Sequence, residues 1–146
     1  MIRRVWHEHG LSIVAVGILL LWVALYTVSD PKTHLGQFFG NAIADWSGSV
    51  VIILGTKFLL ERGSKDSRKI GRKYGGLAGF LHEHSLLIFL AVTGIGWALL
   101  FWRNDTDDKW GQVYGNILSE WIQMAGLVYL TKGLIERGSP ESKQRV

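Results

Sequence analysis

Cysteine is absent from the 146 residues, which excludes disulfides and thiolate-held metals or clusters. Only two prolines occur, Pro31 and Pro140, so long stretches carry nothing that would break a helix. Also missing are a phosphate-cradling glycine loop, a nucleophile with a matching base, and any nucleic-acid reading motif. The chain therefore reads as non-enzymatic and without a nucleic-acid partner. Acidic groups are outnumbered, twelve against sixteen Lys and Arg, for a net charge of +4.

Apolar residues are plentiful, 48% of the chain, and they come in blocks. Gly10 to Val28 and Ser85 to Trp102 contain no charge, and each approaches the roughly 20 residues that cross a hydrocarbon core. The first block is read as a retained span, because no small-residue cleavage pattern follows it and its near-copy lies mid-chain. The mean hydropathy is only +0.19; the clustering, and not the average, carries the membrane reading.

Displacing the sequence by 75 residues lays 6–68 on 81–143 without a gap, with about a third of positions identical. Matching landmarks are His7, Glu8, His9 with His82, Glu83, His84; Trp22 with Trp97; Gly36, Gln37 with Gly111, Gln112; Gly40, Asn41 with Gly115, Asn116; Trp46 with Trp121; Thr56, Lys57 with Thr131, Lys132; and Glu61 to Ser64 with Glu136 to Ser139. Each unit holds an even number of spans, so the copies insert in parallel about an axis along the membrane normal. The expected fold is thus an all-α membrane protein forming a single domain over 1–146. Four transmembrane helices come from two tandem two-helix hairpins packed as a four-helix bundle, with a basic, glycine-punctuated linker over about 63–79.

Basic groups lie mostly on one side: Arg3, Arg4, Arg62, Lys65, Arg68, Lys69, Arg72, Lys73, Arg137, Lys143 and Arg145, against Lys32, Arg103 and Lys109 on the other. The positive-inside rule then places both termini in the cytoplasm. Lys65, Arg68, Lys69, Arg72 and Lys73 are the residues expected to meet anionic lipid headgroups. Trp22, Tyr26, Trp97, Trp102 and Trp110 gather near the outer boundary as an interfacial aromatic belt would.

Local chemistry sets the expected helix ends. Asp30 before Pro31 suits a cap for the second helix, Thr106 or Asp107 the fourth, and Gly63 and Gly138 the last turns, with Pro140 reinforcing the second stop. The second helix of each hairpin is unusual. Its uncharged run, Trp46 to Thr56, covers only about 16 Å of helix. Crossing from Leu35 to Thr56 puts Asp45 near the middle, and the copy puts Glu120 there. Crossing from Asn41 to Leu60 keeps the acids shallower, with Lys57 snorkelling and pairing with Glu61 one turn on, as Lys132 would with Glu136. A third register lays the stretch before Trp46 flat on the outer surface.

Helical spacing places Gln37, Asn41 and Asp45 on one face, repeated as Gln112, Asn116 and Glu120 with Gln123 extending the line. Gly36 and Gly40, with Gly111 and Gly115, lie beside this stripe at the spacing that lets helices approach closely. The second and fourth helices are expected to meet, stripe inward, either as hydrogen-bonding glue or as a route for a proton or cation. His7, Glu8, His9, His82, Glu83 and His84 offer six ligands of types that suit zinc, iron, nickel or manganese. Histidines two apart do not share a helix face, however, and a carboxylate at a helix start is expected from the dipole alone.

The chain resembles an uncharacterised bacterial family of small membrane proteins, a domain of unknown function. The likeness rests on Glu83, Ser85 and Leu86, on Ser119 to Ala125 and on Arg137 to Lys143, with His84 where that family has asparagine. The hairpin is similar, more distantly, to low-affinity iron permease relatives. The closer resemblance implies a bacterial inner-membrane location and the four-helix plan, and no chemistry. The leading expectation is an accessory or scaffold subunit, bound to other membrane subunits or to itself through apolar faces around Trp6, Phe38 and Phe39. The alternatives are a proton or cation channel or carrier, and metal binding at the cytoplasmic face. No cofactor is specified.

Overall fold

A computed structural model describes residues 2–62, 64, 75–105, 107–134 and 139. Among them the secondary structure is helical throughout: α1 (Ile2–Val28), α2 (His34–Phe58), a short α3 (Gly76–Glu83), α4 (Ser85–Arg103) and α5 (Lys109–Gly133). Three of these, α1, α2 and α4, are long and apolar enough to cross a membrane. The fourth long helix, α5, matches α2 at 25 residues but carries Lys109, Glu120 and Lys132 along its length.

Contacts run in the order α1, α2, α5, α4, with the second helix of each hairpin inside. The shared core joins Tyr26, Ile43, Ala44, Leu86, Leu90, Val113, Ile117, Trp121, Met124 and Val128. Aromatic contacts fasten each hairpin. Trp22 stacks on Phe39 and meets Phe38 edge-on at centroid distances of 5.9 and 5.7 Å. Trp97 meets Trp121 edge-on at 5.6 Å, and the Trp121 indole donates to Thr93 Oγ1 at 2.8 Å. Tyr26 is a core residue and not part of an aromatic belt. The residue is 2% exposed, its ring packs on Trp110 and its hydroxyl donates to the Lys109 carbonyl.

Several helix ends differ from the expected ones. Thr33, not Asp30, caps α2, accepting from the Gly36 amide at 3.1 Å. Asp30 instead shapes the turn before it, its carbonyl taking the Thr33 amide and hydroxyl. Asp108 precedes α5 in place of Asp107, and Thr106 lies outside the described residues. At the other end α2 and α5 stop at Phe58 and Gly133, short of Gly63 and Gly138, because Leu59 and Leu134 turn extended while their amides still bond Gly55 and Leu130. Gly63, Gly138 and Pro140 lie outside the described residues, as do Lys65, Arg68, Lys69, Arg72 and Lys73. The end of the linker, from Gly76, is helical.

The stretch before Trp46 is not a separate helix. It is the first half of one unbroken helix, His34–Phe58.

Candidate functional site

Among the described residues, chemistry-bearing side chains come together at the crossing of α2 and α5 and at the end of the molecule where those helices stop.

At the crossing, Asn41 and Asn116 meet directly, the Asn116 amide donating to Asn41 Oδ1 at 2.5 Å. Gln37, Asn41, Gln112 and Asn116 line one cavity of about 390 Å³ that Tyr26 and Phe101 close from the flanks. Further along the same helices, Asp45 and Glu120 line a second, about 400 Å³, with Gly48, Ser49, Ile52, Ile53 and Met124. The stripe therefore gathers as its spacing implies, but along an open edge of the helix pair. Gln37, Asn41, Asp45 and Gln112 are all exposed, while Ala42, Ile43, Ala44, Val113 and Ile117 fill the buried side. Gln123 is exposed and lines neither cavity.

The glycines beside the stripe divide their roles, and of them Gly40 lies against the facing helix, where a Cβ would meet Val113 Cγ2 of α5 at 3.6 Å. A Cβ at Gly36 would sit 1.9 Å from the Asp30 carbonyl oxygen, so Gly36 exists for the tight turn. A Cβ at Gly40 would meet the Tyr26 ring at 3.2 Å, and one at Gly115 would meet the Phe101 ring at 3.0 Å. Gly115 thus makes room for an aromatic of its own hairpin, and Gly40 does so while also facing α5. Gly111 is buried at the start of α5. Gly48 marks the approach to α5, where a Cβ would face Glu120 Oε2 at 3.4 Å and Met124 Sδ at 3.6 Å.

At the other end, the segment after α2 runs back against α4 and α5. Its Glu61 side chain has no exposed surface. Oε1 lies 2.6 Å from His84 Nδ1 and takes the Lys132 ammonium at 2.7 Å, while Oε2 accepts the Leu87 amide at 3.2 Å. Leu87 is in the first turn of α4, where unpaired amides and the helix dipole favour an anion. A buried carboxylate is costly unless paired and hydrogen-bonded, and this one is both.

The same segment explains why α3 and α4 are separate helices. In a continuous helix the Leu86 amide would bond the His82 carbonyl; here it bonds Leu60 O at 3.0 Å. The Glu83 carbonyl accepts from the Arg62 amide at 2.7 Å, the Leu60 amide donates to Ser85 Oγ at 2.8 Å, and Ser85 Oγ donates to His82 O at 3.0 Å. Arg62 also reaches Glu83 Oε2 at 2.9 Å, and Ser64 Oγ lies 3.1 Å from Thr131 Oγ1. An extended piece of chain has replaced one helical turn's worth of bonds.

This placement corrects the pairing expected of Lys57 with Glu61. Because α2 ends at Phe58, Glu61 is not one helical turn beyond Lys57; it is carried to Lys132, while Lys57 Nζ lies 3.0 Å from His9 Nδ1. Glu136, the expected partner of Lys132, lies outside the described residues.

The two His-Glu-His motifs do not assemble into a ligand set. Among the described residues no three His, Asp or Glu side chains are held together as a metal would need. Glu8 pairs with Arg4 at 2.9 Å, Glu83 with Arg62, His84 with Glu61 and His9 with Lys57. His7, Glu8 and His9 instead border a cleft of about 470 Å³ with Trp6, Ser12, Thr56 and Lys57.

No family model, curated protein or solved structure matches this chain. The functional reading therefore rests on the residues themselves. What the two regions offer is a polar edge with two acids and a buried ionic joint between the hairpins. Sequence reasoning missed the joint, although the repeated Leu-x-Glu-Arg-Gly-Ser after each inner helix was the signal that could have found it.

Proposed function

We propose that this chain is a tandemly duplicated, four-span protein of the bacterial inner membrane, with both termini cytoplasmic, that works through helix contacts as an accessory or scaffold subunit. The observation that carries the reading is the exposure of the outer helices. In the most apolar stretch of α1 and of α4, only 11% of residues are buried. Val14, Leu20, Leu21, Val92, Ile95 and Leu99 all face outward. In a bilayer such faces are solvated by lipid or by other helices. An apolar recess of about 640 Å³, lined by Leu19, Val50, Val51, Trp97, Leu100 and Trp121, adds relief that a partner helix can fill.

Treating α5 as the fourth span is supported by where its charges go. Lys109 reaches the Thr27 and Ser29 carbonyls at 3.0 and 2.6 Å, and Lys132 is paired with Glu61. Glu120 faces the same cavity as Asp45. Charges with partners, or near helix ends, are the tolerable ones in a spanning helix. The basic residues of the linker add an attraction to anionic headgroups. The resemblance to the small bacterial membrane family agrees with this plan.

The test is the native mass and composition of the protein extracted gently from its own membrane. Particles with fixed additional subunits, or a defined homo-oligomer, support the reading. A monomer at native abundance that no crosslinker converts to a larger species overturns it.

A second reading is favoured by one specific arrangement, the shared cavity of Asp45 and Glu120. Two acids beside an Asn and Gln-lined cavity suit transient binding of a proton or cation. Proteoliposomes would then show a flux that Asp45→Asn with Glu120→Gln abolishes. Absence of flux from the unaltered protein sinks this alternative.

A further inference from the structure

The cleft that holds His9 and Lys57 has the same ingredients as the joint that holds Glu61. His9 and Lys57 stand 75 positions before His84 and Lys132, the two groups that grip the Glu61 carboxylate. In the second hairpin the space between the histidine and the lysine is filled by Leu60 and Glu61. In the first, no carboxylate is paired with Lys57 among the described residues, and the ammonium lies against His9 Nδ1 with an open cleft of about 470 Å³ beside it. A second difference goes with the first. The helix is interrupted at His84, where a segment is seated, and runs unbroken through His9, where none of the described residues is seated in that way.

We propose that the His9–Lys57 cleft is a carboxylate-binding site whose occupant is this chain's own segment 134–139. Three arguments single out that occupant. Its sequence, Leu-Ile-Glu-Arg-Gly-Ser, repeats the Leu59 to Ser64 segment, Leu-Leu-Glu-Arg-Gly-Ser, with one aliphatic exchange. The reach is right, since Glu61 follows the last residue of α2 by three positions and Glu136 follows the last residue of α5 by three. The charges complement, a carboxylate arriving beside an ammonium and an imidazole. A tethered segment also binds at high effective concentration without needing strong contacts. Seated there, Glu136 would face Lys57 and His9 as Glu61 faces Lys132 and His84. The site requires no external partner and stands whether or not the subunit reading holds.

The natural chain has no cysteine, so a single introduced pair reports proximity without background. In the second hairpin the Leu86 amide bonds Leu60 O; the matching positions are Leu11 and Ile135. The full-length protein carrying Leu11→Cys with Ile135→Cys, in lipid nanodiscs, is expected to form an intramolecular disulfide under mild oxidation. Adding Lys57→Glu should lower its rate of formation about tenfold, the shift expected for replacing one attractive charge pair by a repulsive one, and adding Glu136→Lys as well should restore it. A rate indifferent to both charges overturns the proposal. So does a disulfide that appears only between two chains, which would assign the cleft to a second copy, and so does no disulfide at all in protein that retains its native helical content. Should the charge variants fail to fold, the cysteine pair alone decides.

Discussion

The Glu61 carboxylate and the Lys132 ammonium, 71 residues apart in the chain, meet at 2.7 Å with none of the Glu61 side chain exposed. This pair ties the end of one hairpin to the end of the other. Removing Glu61 leaves the largely buried Lys132 ammonium without its carboxylate, whereas removing Lys132 still leaves Glu61 its contacts with His84 and the Leu87 amide.

Glu61→Ala is expected to destabilise the protein by about 3 kcal/mol, the scale on which breaking one half of a buried pair operates. The double variant Glu61→Leu with Lys132→Met should recover much of that loss, because no lone charge remains. Thermal unfolding in detergent, followed by tryptophan fluorescence, measures both. Equal losses for the single and double variants would show that the joint works through shape and not charge.

Gly36 and Gly17 make an internally controlled pair. Ala at Gly36 collides with the Asp30 carbonyl, whereas Ala at Gly17 meets nothing within 4 Å. Gly36→Ala should cost about 2 kcal/mol or more, the range of overpacking a rigid backbone contact, and Gly17→Ala should be neutral or slightly stabilising through helix propensity. The same thermal measurement checks this, and similar midpoints for the two variants would refute the tight turn.

The Asn41 and Asn116 bridge should contribute less than about 1 kcal/mol, as interhelical side-chain bonds in membranes commonly do. A double-mutant cycle with Asn41→Leu and Asn116→Leu isolates the coupling. A coupling several times larger would mean that the polar edge is a principal fastening between the hairpins.

Tyr26→Phe keeps the ring against Gly40 and Trp110 and deletes the hydroxyl that bonds the Lys109 carbonyl. A loss of about 1 kcal/mol is expected for that bond, compared with about 3 kcal/mol or more for Tyr26→Ala, which also empties a core position. Equal effects of the two variants would assign the residue's whole contribution to its hydroxyl.

Much of the helical plan was legible because period and composition speak for themselves. The uncharged run from Ser85 to Trp102 gave α4 nearly to the residue, whereas the polar spacing of Gln37, Asn41 and Asp45, expected to turn inward, marks only the open edge of the α2 and α5 crossing, whose buried side is made by Ala42, Ile43 and Ala44. Chain ends were harder. Asp30 and Gly63 looked like caps by type, but Thr33 and Leu59 took those positions, since a cap is decided by which amide a side chain can reach. The buried joint was hidden for a related reason. Lys57 and Glu61 are four apart, and that spacing implies a pair only while the helix continues. Once α2 stops at Phe58, the carboxylate is free to find a partner in the other hairpin, a long-range contact that no local periodicity encodes. Tyr26 shows the converse case. Its position near a helix end suggested an interfacial aromatic, and only the tertiary contact with Lys109 made it core.

The exchanged turn at His84 has a consequence for how the protein is made. A ribosome delivers Glu61 long before it delivers Lys132, so a half-synthesised chain holds a carboxylate with neither its ammonium nor the helix start that will receive it. Until the last helix is laid down, that group can reach His84 and the Leu87 amide but not the ammonium that completes the joint. Completion of the final helix thus becomes the event that locks the first pair in place, since a chain that stops before Lys132 lacks the ammonium that Glu61 meets.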